Sequence, residues 1–172
     1  VHRKQAESAH HSSLTRYLFD LLSTAGGIYG LIIVAGVIIV SNNLTAATWE
    51  ALLAVVATLV VFFAAHAYAA TLAEMSNRDL SFLAALRRGV ADSIGMIAIG
   101  IFPVLVLLLG VLGILKPVNA VWLALLLDVL LLGVLGWFVT AARIQSTLAR
   151  FGGALLTSAF GGIIIALKAL IH

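Results

Sequence analysis

The sequence predicts an all-α integral membrane bundle of five helices, and three observations carry that prediction. First, 63% of the 172 residues are apolar and only 10% are charged, against about 45–50% and about 25% in a soluble domain. Seventeen Lys, Arg, Asp and Glu residues are too few to coat a water-soluble surface of this size. Second, the apolar residues fall into five continuous runs, each near the roughly 20 residues that cross a bilayer. Third, the basic residues gather on alternate connections between those runs, as cytoplasmic loops do.

The runs are expected at 21–40, 49–73, 90–115, 118–142 and 151–170, after a polar cytoplasmic segment at 1–20. Residues 21–172 then form a single transmembrane domain. The runs are long and do not alternate polar with apolar, so they read as helices and not as barrel strands. In the polar segment, Leu14, Tyr17, Leu18 and Leu21 lie at helical spacing, and Arg16 and Asp20 are placed to pair one turn apart. The first connection is the polar turn Ser41-Asn42-Asn43-Leu44-Thr45, after which Thr48 is placed to cap span two. The second, Met75 to Arg88, is polar and basic but contains Leu80, Phe82, Leu83 and Leu86, so part of it reads as a helical lead into span three. Lys116-Pro117 is expected to stop span three, because proline breaks the backbone ladder. Arg143 to Arg150 separates spans four and five. Connections this short make neighbouring helices antiparallel.

Five spans put Arg3, Lys4, Arg16, Arg78, Arg87, Arg88, Arg143 and Arg150 on one side and leave Lys116 and Lys168 on the other. The N-terminus is therefore expected inside and the C-terminus outside. The first apolar run lacks a small-x-small cleavage site, so it reads as a span and not a signal peptide. Compact size and short loops point to a bacterial inner membrane.

Other classes drop out by residue type. The chain has no Cys, which removes disulfides, thiolate metal sites and cysteine nucleophiles. No phosphate loop, zinc-protease helix or nucleophile elbow is present, so no enzyme and no cofactor are expected. The net charge of +3 is no nucleic-acid footprint without a basic stripe. Three tryptophans, Trp49, Trp122 and Trp137, fall near expected interfaces and read as anchors. Asn43-Leu44-Thr45 is a glycosylation sequon if the chain follows a eukaryotic secretory route. His2, His10 and His11 lie in the polar segment and read as solvated.

Ionisable residues inside spans are costly and usually face protein or water. Asp128 has no polar neighbour within a turn. His66 lies eight residues before Glu74, about 12 Å in, and Asp92 four residues past Arg88, about 6 Å in. A path for a cation or protons would be lined by His66, Asp92 and Asp128, with Glu74 at its inner mouth and Glu50 at its outer one. The bland alternative is three separate contacts: Asp92 pairing with Arg88, His66 bonded to a backbone carbonyl, and Asp128 joining two helices or two subunits. Asp92, Met96, Pro103 and Gly110 share one stripe of span three. That stripe suits either a cation pathway, with Met96 as a soft ligand beside a hard one, or a kinked packing face.

Small residues suggest close helix packing. Ala154, Ser158, Gly162 and Ala166 form one row on span five, and Gly153, Thr157 and Gly161 a second beside it. These rows can meet another helix of the chain or a second copy, with a dimer favoured. A non-transporting subunit or scaffold that packs through these faces is the alternative function.

The later half resembles the vacuolar iron transporter family. The resemblance lies in Gly95-Met96-Ile97-Ala98-Ile99-Gly100-Ile101-Phe102-Pro103, then Leu132-Gly133-Val134-Leu135-Gly136, then Arg143 to Arg150 and Gly152-Gly153-Ala154 to Leu170. It covers about 80 residues and implies a five-span fold with the N-terminus inside and divalent metal as substrate. The chain departs from that family in two places. Gly26-Gly27-Ile28-Tyr29-Gly30 has no carboxylate where the family has an Asp-Gly pair in span one, and Met75 to Arg88 is too short for its acidic metal-binding insert. Glu74 falls near the position of the family's second-span glutamate.

Overall fold

The computed structural model describes residues 25–44, 48–77 and 80–171. The expected N-terminal turn, the Arg16–Asp20 pair, the three N-terminal histidines, Leu21, Thr45 and Arg78 lie outside them. The described residues form five helices: α1 (Ala25–Leu44), α2 (Thr48–Asn77), α3 (Phe82–Val111), α4 (Pro117–Ala141) and α5 (Thr147–Ile171). Helices α2 to α5 are each long and apolar enough to cross a membrane, while the apolar stretch of α1, Gly26–Ser41, is shorter. The fold is all-helical and membrane-like, as the composition requires.

The helix ends follow from local chemistry. The second connection does turn helical at Phe82, so α3 starts eight residues before the expected Val90. Its other end corrects the sequence expectation. Lys116-Pro117 does not stop α3. Gly113 does, with φ +75, its N–H bonded to the Gly110 carbonyl and the Ile114 N–H to that of Leu109. This is the closing turn that a left-handed glycine allows. Pro117 instead opens α4 as its first residue, where its missing N–H costs nothing. The short connection is a glycine stop followed by a proline start.

Helix α1 is the axis of the bundle. Helices α2, α3, α4 and α5 pack in sequence order, with α2 against α3 and α4 against α5 most closely, and α1 touches all four. Helices α2 and α5 scarcely meet, so the four form an open curve around α1. Leu31, Val34, Ala35 and Ile38 of α1 are sealed inside. Its opposite stripe, Tyr29, Ile33, Gly36 and Val40, looks out through the opening: Tyr29 and Val40 are exposed, and a Cβ on Gly36 would meet nothing within 4 Å.

Lipid is as apolar as leucine, so close backbone approach must hold the helices together. Helices α4 and α5 meet through glycines: a Cβ on Gly136 would lie 2.5 Å from the Gly153 carbonyl, and one on Gly153 would lie 2.9 Å from that of Gly136. The Thr157 hydroxyl lies 2.9 Å from the Leu132 carbonyl of α4, and Ser158 donates to that of Val129 at 3.3 Å. The row Gly153, Thr157 and Gly161 is thus used within the chain. In the neighbouring row, Ala154 and Ser158 are half-buried, Gly162 has open space beside it, and Ala166 is exposed. Helices α2 and α3 approach at Gly89, where a Cβ would lie 2.6 Å from the Ala67 carbonyl.

At the end of the α2–α3 pair, Arg88 and Glu74 form an ion pair at 3.3 Å, with side chains 48% and 25% exposed. Exposed pairs of this kind contribute little. Glu74→Gln is therefore expected to change the stability of the purified protein by less than about 1 kcal/mol, measured as the unfolding midpoint in detergent. A larger loss would show that the pair holds α2 and α3 together.

Candidate functional site

The structure separates the ionisable residues that sequence spacing grouped. Asp128 lies on the face of α4 that also buries Val121, Ala124, Leu125, Leu132 and Leu135. It is eleven residues from Pro117 and thirteen from Ala141, so about 17 and 20 Å from the two helix ends at 1.5 Å per residue. The residue is 0% exposed, and among the described residues neither carboxyl oxygen has a hydrogen-bond partner.

Its surroundings follow from the two core clusters. Leu107 packs with Ala124, Leu125 and Ile38, while Ile99 packs with Leu31, Leu132 and Leu135. Along each helix, Asp128 lies between Leu125 and Leu132 on α4, Pro103 between Ile99 and Leu107 on α3, and Val34 and Ala35, which belong to the first cluster, between Leu31 and Ile38 on α1. Pro103 is fully buried and offers no N–H to the Ile99 carbonyl one turn earlier. The buried side chains of α1, α3 and α4 around Asp128 are hydrocarbon, with the Ser158 hydroxyl of α5 on the neighbouring Val129 carbonyl and one carbonyl of α3 released from its helical ladder.

His66 and Met96 come together elsewhere. With Tyr29, Ile33 and Phe62 they line a groove of about 190 Å3, on the outward stripe of α1 beside α2. His66 is half-buried, eleven residues from the end of α2 at Asn77. Met96 is 1% exposed, and its Cγ would lie 2.8 Å from a Cβ on Gly30, so only glycine lets α1 pass there. Met96 belongs to both regions: it lines the groove and packs in the cluster containing Leu125, three residues before Asp128.

Asp92 joins neither region. It is exposed, although Met96, Pro103 and Gly110 of its stripe are buried. At its depth α3 is held through Gly89 and Ser93, which are buried, and Asp92 lies to one side of them. Its expected partner Arg88 bonds Glu74 instead. Glu50 is half-buried in the first turn of α2, where a carboxylate suits the positive end of the helix dipole. The expected inner and outer carboxylates therefore lie near opposite ends of α2. Among the described residues, no three His, Asp or Glu side chains gather as a metal-binding group.

The sequence reading missed the groove. Tyr29, Ile33 and Phe62 carry no individual signal, and only the meeting of α1, α2 and α3 makes them a groove. The buried hydroxyls of Thr71 and Ser93 were also missed. They donate to the Ala67 and Gly89 carbonyls of their own helices at 2.6 and 2.7 Å. No family model matches the chain, and no curated protein or solved structure matches it.

Proposed function

We propose that the protein moves a small cation, a metal ion or a proton, across the membrane, with Asp128 as its central binding group. The observation that carries this reading is a fully buried carboxyl, half-way along a membrane-length helix, with both oxygens unpartnered among the described residues. Such a group costs free energy and gives no structural return, and ionisable groups at this depth commonly serve ion movement. It holds a charge only in the company of a counter-ion.

Asp128 is fully buried, and the groove of His66 and Tyr29 reaches the core at Met96. Met96 is the movable element between them, since an unbranched thioether repacks easily. An imidazole carries one nitrogen that accepts a proton and one that donates it, so His66 is suited to relay. The N-terminus and the Glu74–Arg88 end face the cytoplasm in this reading, and Glu50 the other side.

A scaffold reading draws on α5. Its outer face leaves Leu148 83% and Leu155 74% exposed, and Gly152 and Gly162 have open space beside them. A second copy seated there would make a dimer, which would transport nothing if that were its whole role. The test is flux in reconstituted vesicles for the wild type, Asp128→Asn and His66→Ala, read with proton- and divalent-sensitive dyes. Transport predicts loss of flux in Asp128→Asn and reduced flux in His66→Ala. Unchanged proton and divalent fluxes in both variants would exclude it.

A further inference from the structure

We propose that the ion taken by Asp128 is the proton and not a metal cation; this rests on the transport reading above and names its substrate. The number of available ligands separates the two. One carboxylate supplies two oxygens. The carbonyl released by Pro103 supplies at most a third, at the same level of the bundle. Calcium takes six to eight oxygens and magnesium close to an octahedron, zinc four ligands, and a dehydrated potassium ion a cage of carbonyls.

Among the described residues, the hydroxyls nearest Asp128 along α4 are those of Thr157 and Ser158, and they are already engaged with the Leu132 and Val129 carbonyls. The other fully buried polar side chains are Ser41, Thr71 and Ser93. Ser41 is six residues along α1 from Ala35, and Ser93 ten residues along α3 from Pro103. These are about 9 and 15 Å of helix away, and Thr71 lies on α2 level with Gly89, lower still.

Charge gives the same answer. Helix α1 carries no ionisable side chain between Ala25 and Leu44 except Tyr29, which is exposed. Helix α3 carries Arg87, Arg88 and Asp92, the nearest eleven residues before Pro103, and α2 carries Glu50, His66, Tyr68 and Glu74. Helix α5 carries Arg150 in its first turn and Lys168 near its last, and α4 carries Asp128 alone. A divalent metal on one carboxylate would leave a net positive charge in hydrocarbon with nothing to offset it.

A proton needs none of these ligands. One O–H bond forms on the carboxylate and cancels its charge, and the new hydroxyl can donate to the Ile99 carbonyl that Pro103 leaves free. Release breaks the same O–H bond and passes the proton to water on the opposite side. No oxidant, reductant or second ion enters the balance.

The experiment uses the full chain in vesicles under a pH gradient, with an internal pH dye and potassium clamped by valinomycin. External sodium, magnesium, manganese and ferrous iron are each varied, and divalent uptake is followed in parallel. The expected result is proton flux that is independent of all four metals, falls to the level of protein-free vesicles in Asp128→Asn, and persists in Asp128→Glu. Metal flux that needs Asp128, or proton flux that requires a metal, would overturn the inference while leaving transport standing. Wild-type vesicles that carry neither protons nor metals would overturn both. The wild-type metal series requires no variant, so a misfolded Asp128→Asn would leave the proposal exposed to refutation.

Discussion

Asp128→Leu is expected to raise the unfolding midpoint of the protein in detergent. Leucine keeps the branching of aspartate and replaces two unpartnered oxygens with methyl groups, in a region already lined by Leu125, Leu132 and Leu135. Leaving a buried polar group unsatisfied costs about 1–3 kcal/mol, and an apolar group of the same shape removes that cost. The gain should be of that order, and transport should be lost with it. A thermal melt followed by circular dichroism checks the first point. A lower midpoint would mean that Asp128 has a structural partner and that its burial serves packing.

Gly136→Leu should have the opposite effect. The α4–α5 contact depends on Gly136 and Gly153 lying backbone to backbone, with the Thr157 hydroxyl against Gly136 and that of Thr140 against Gly153. Even a Cβ at Gly136 meets a carbonyl that belongs to the helix and cannot swing away. Overpacking of this kind costs about 1–3 kcal/mol, occasionally more, and the Thr157 and Ser158 bonds to α4 go with it. The native chain has no Cys, so a Val129→Cys, Ser158→Cys pair reports directly on whether α5 is seated. The crosslink should form readily in the parent and poorly with Gly136→Leu added. Equal yields and equal melting would show that the glycine contact is not what holds α5.

The helices were legible because membrane length and continuous apolarity act locally: each run carries its own signal. Ends were legible only where the chemistry was unambiguous. Pro117 is conspicuous, but it opens α4 and does not end α3, because Gly113 stops α3 by a backbone conformation that composition does not display. The small-residue row Gly153, Thr157 and Gly161 announced a close contact without naming the partner, since packing faces carry no address.

The candidate site was legible as chemistry and not as geometry. Asp128 is conspicuous in a run of leucines, and it is buried as such a residue must be. Its grouping with His66 and Asp92 was an inference from depth alone. Depth fixes height along the bundle, not direction around each helix. Asp92 shares a stripe with Met96 and still stands outside, because α3 is covered on different sides at different heights.

The central position of α1 bears on how the protein is assembled. The chain emerges in order, so the helix destined for the middle is made before any of the four that enclose it. The α2–α3 and α4–α5 contacts are between sequence neighbours, and each can close as soon as its second helix is inserted. The contacts of α1 with α4 and α5 span most of the chain. Until those last helices arrive, Leu31 and Ile38 have only lipid on the side that α4 will cover. Asp128 cannot be sealed away until α4 docks on α1 and α3, so the costliest group in the bundle is enclosed only after three other helices are in place.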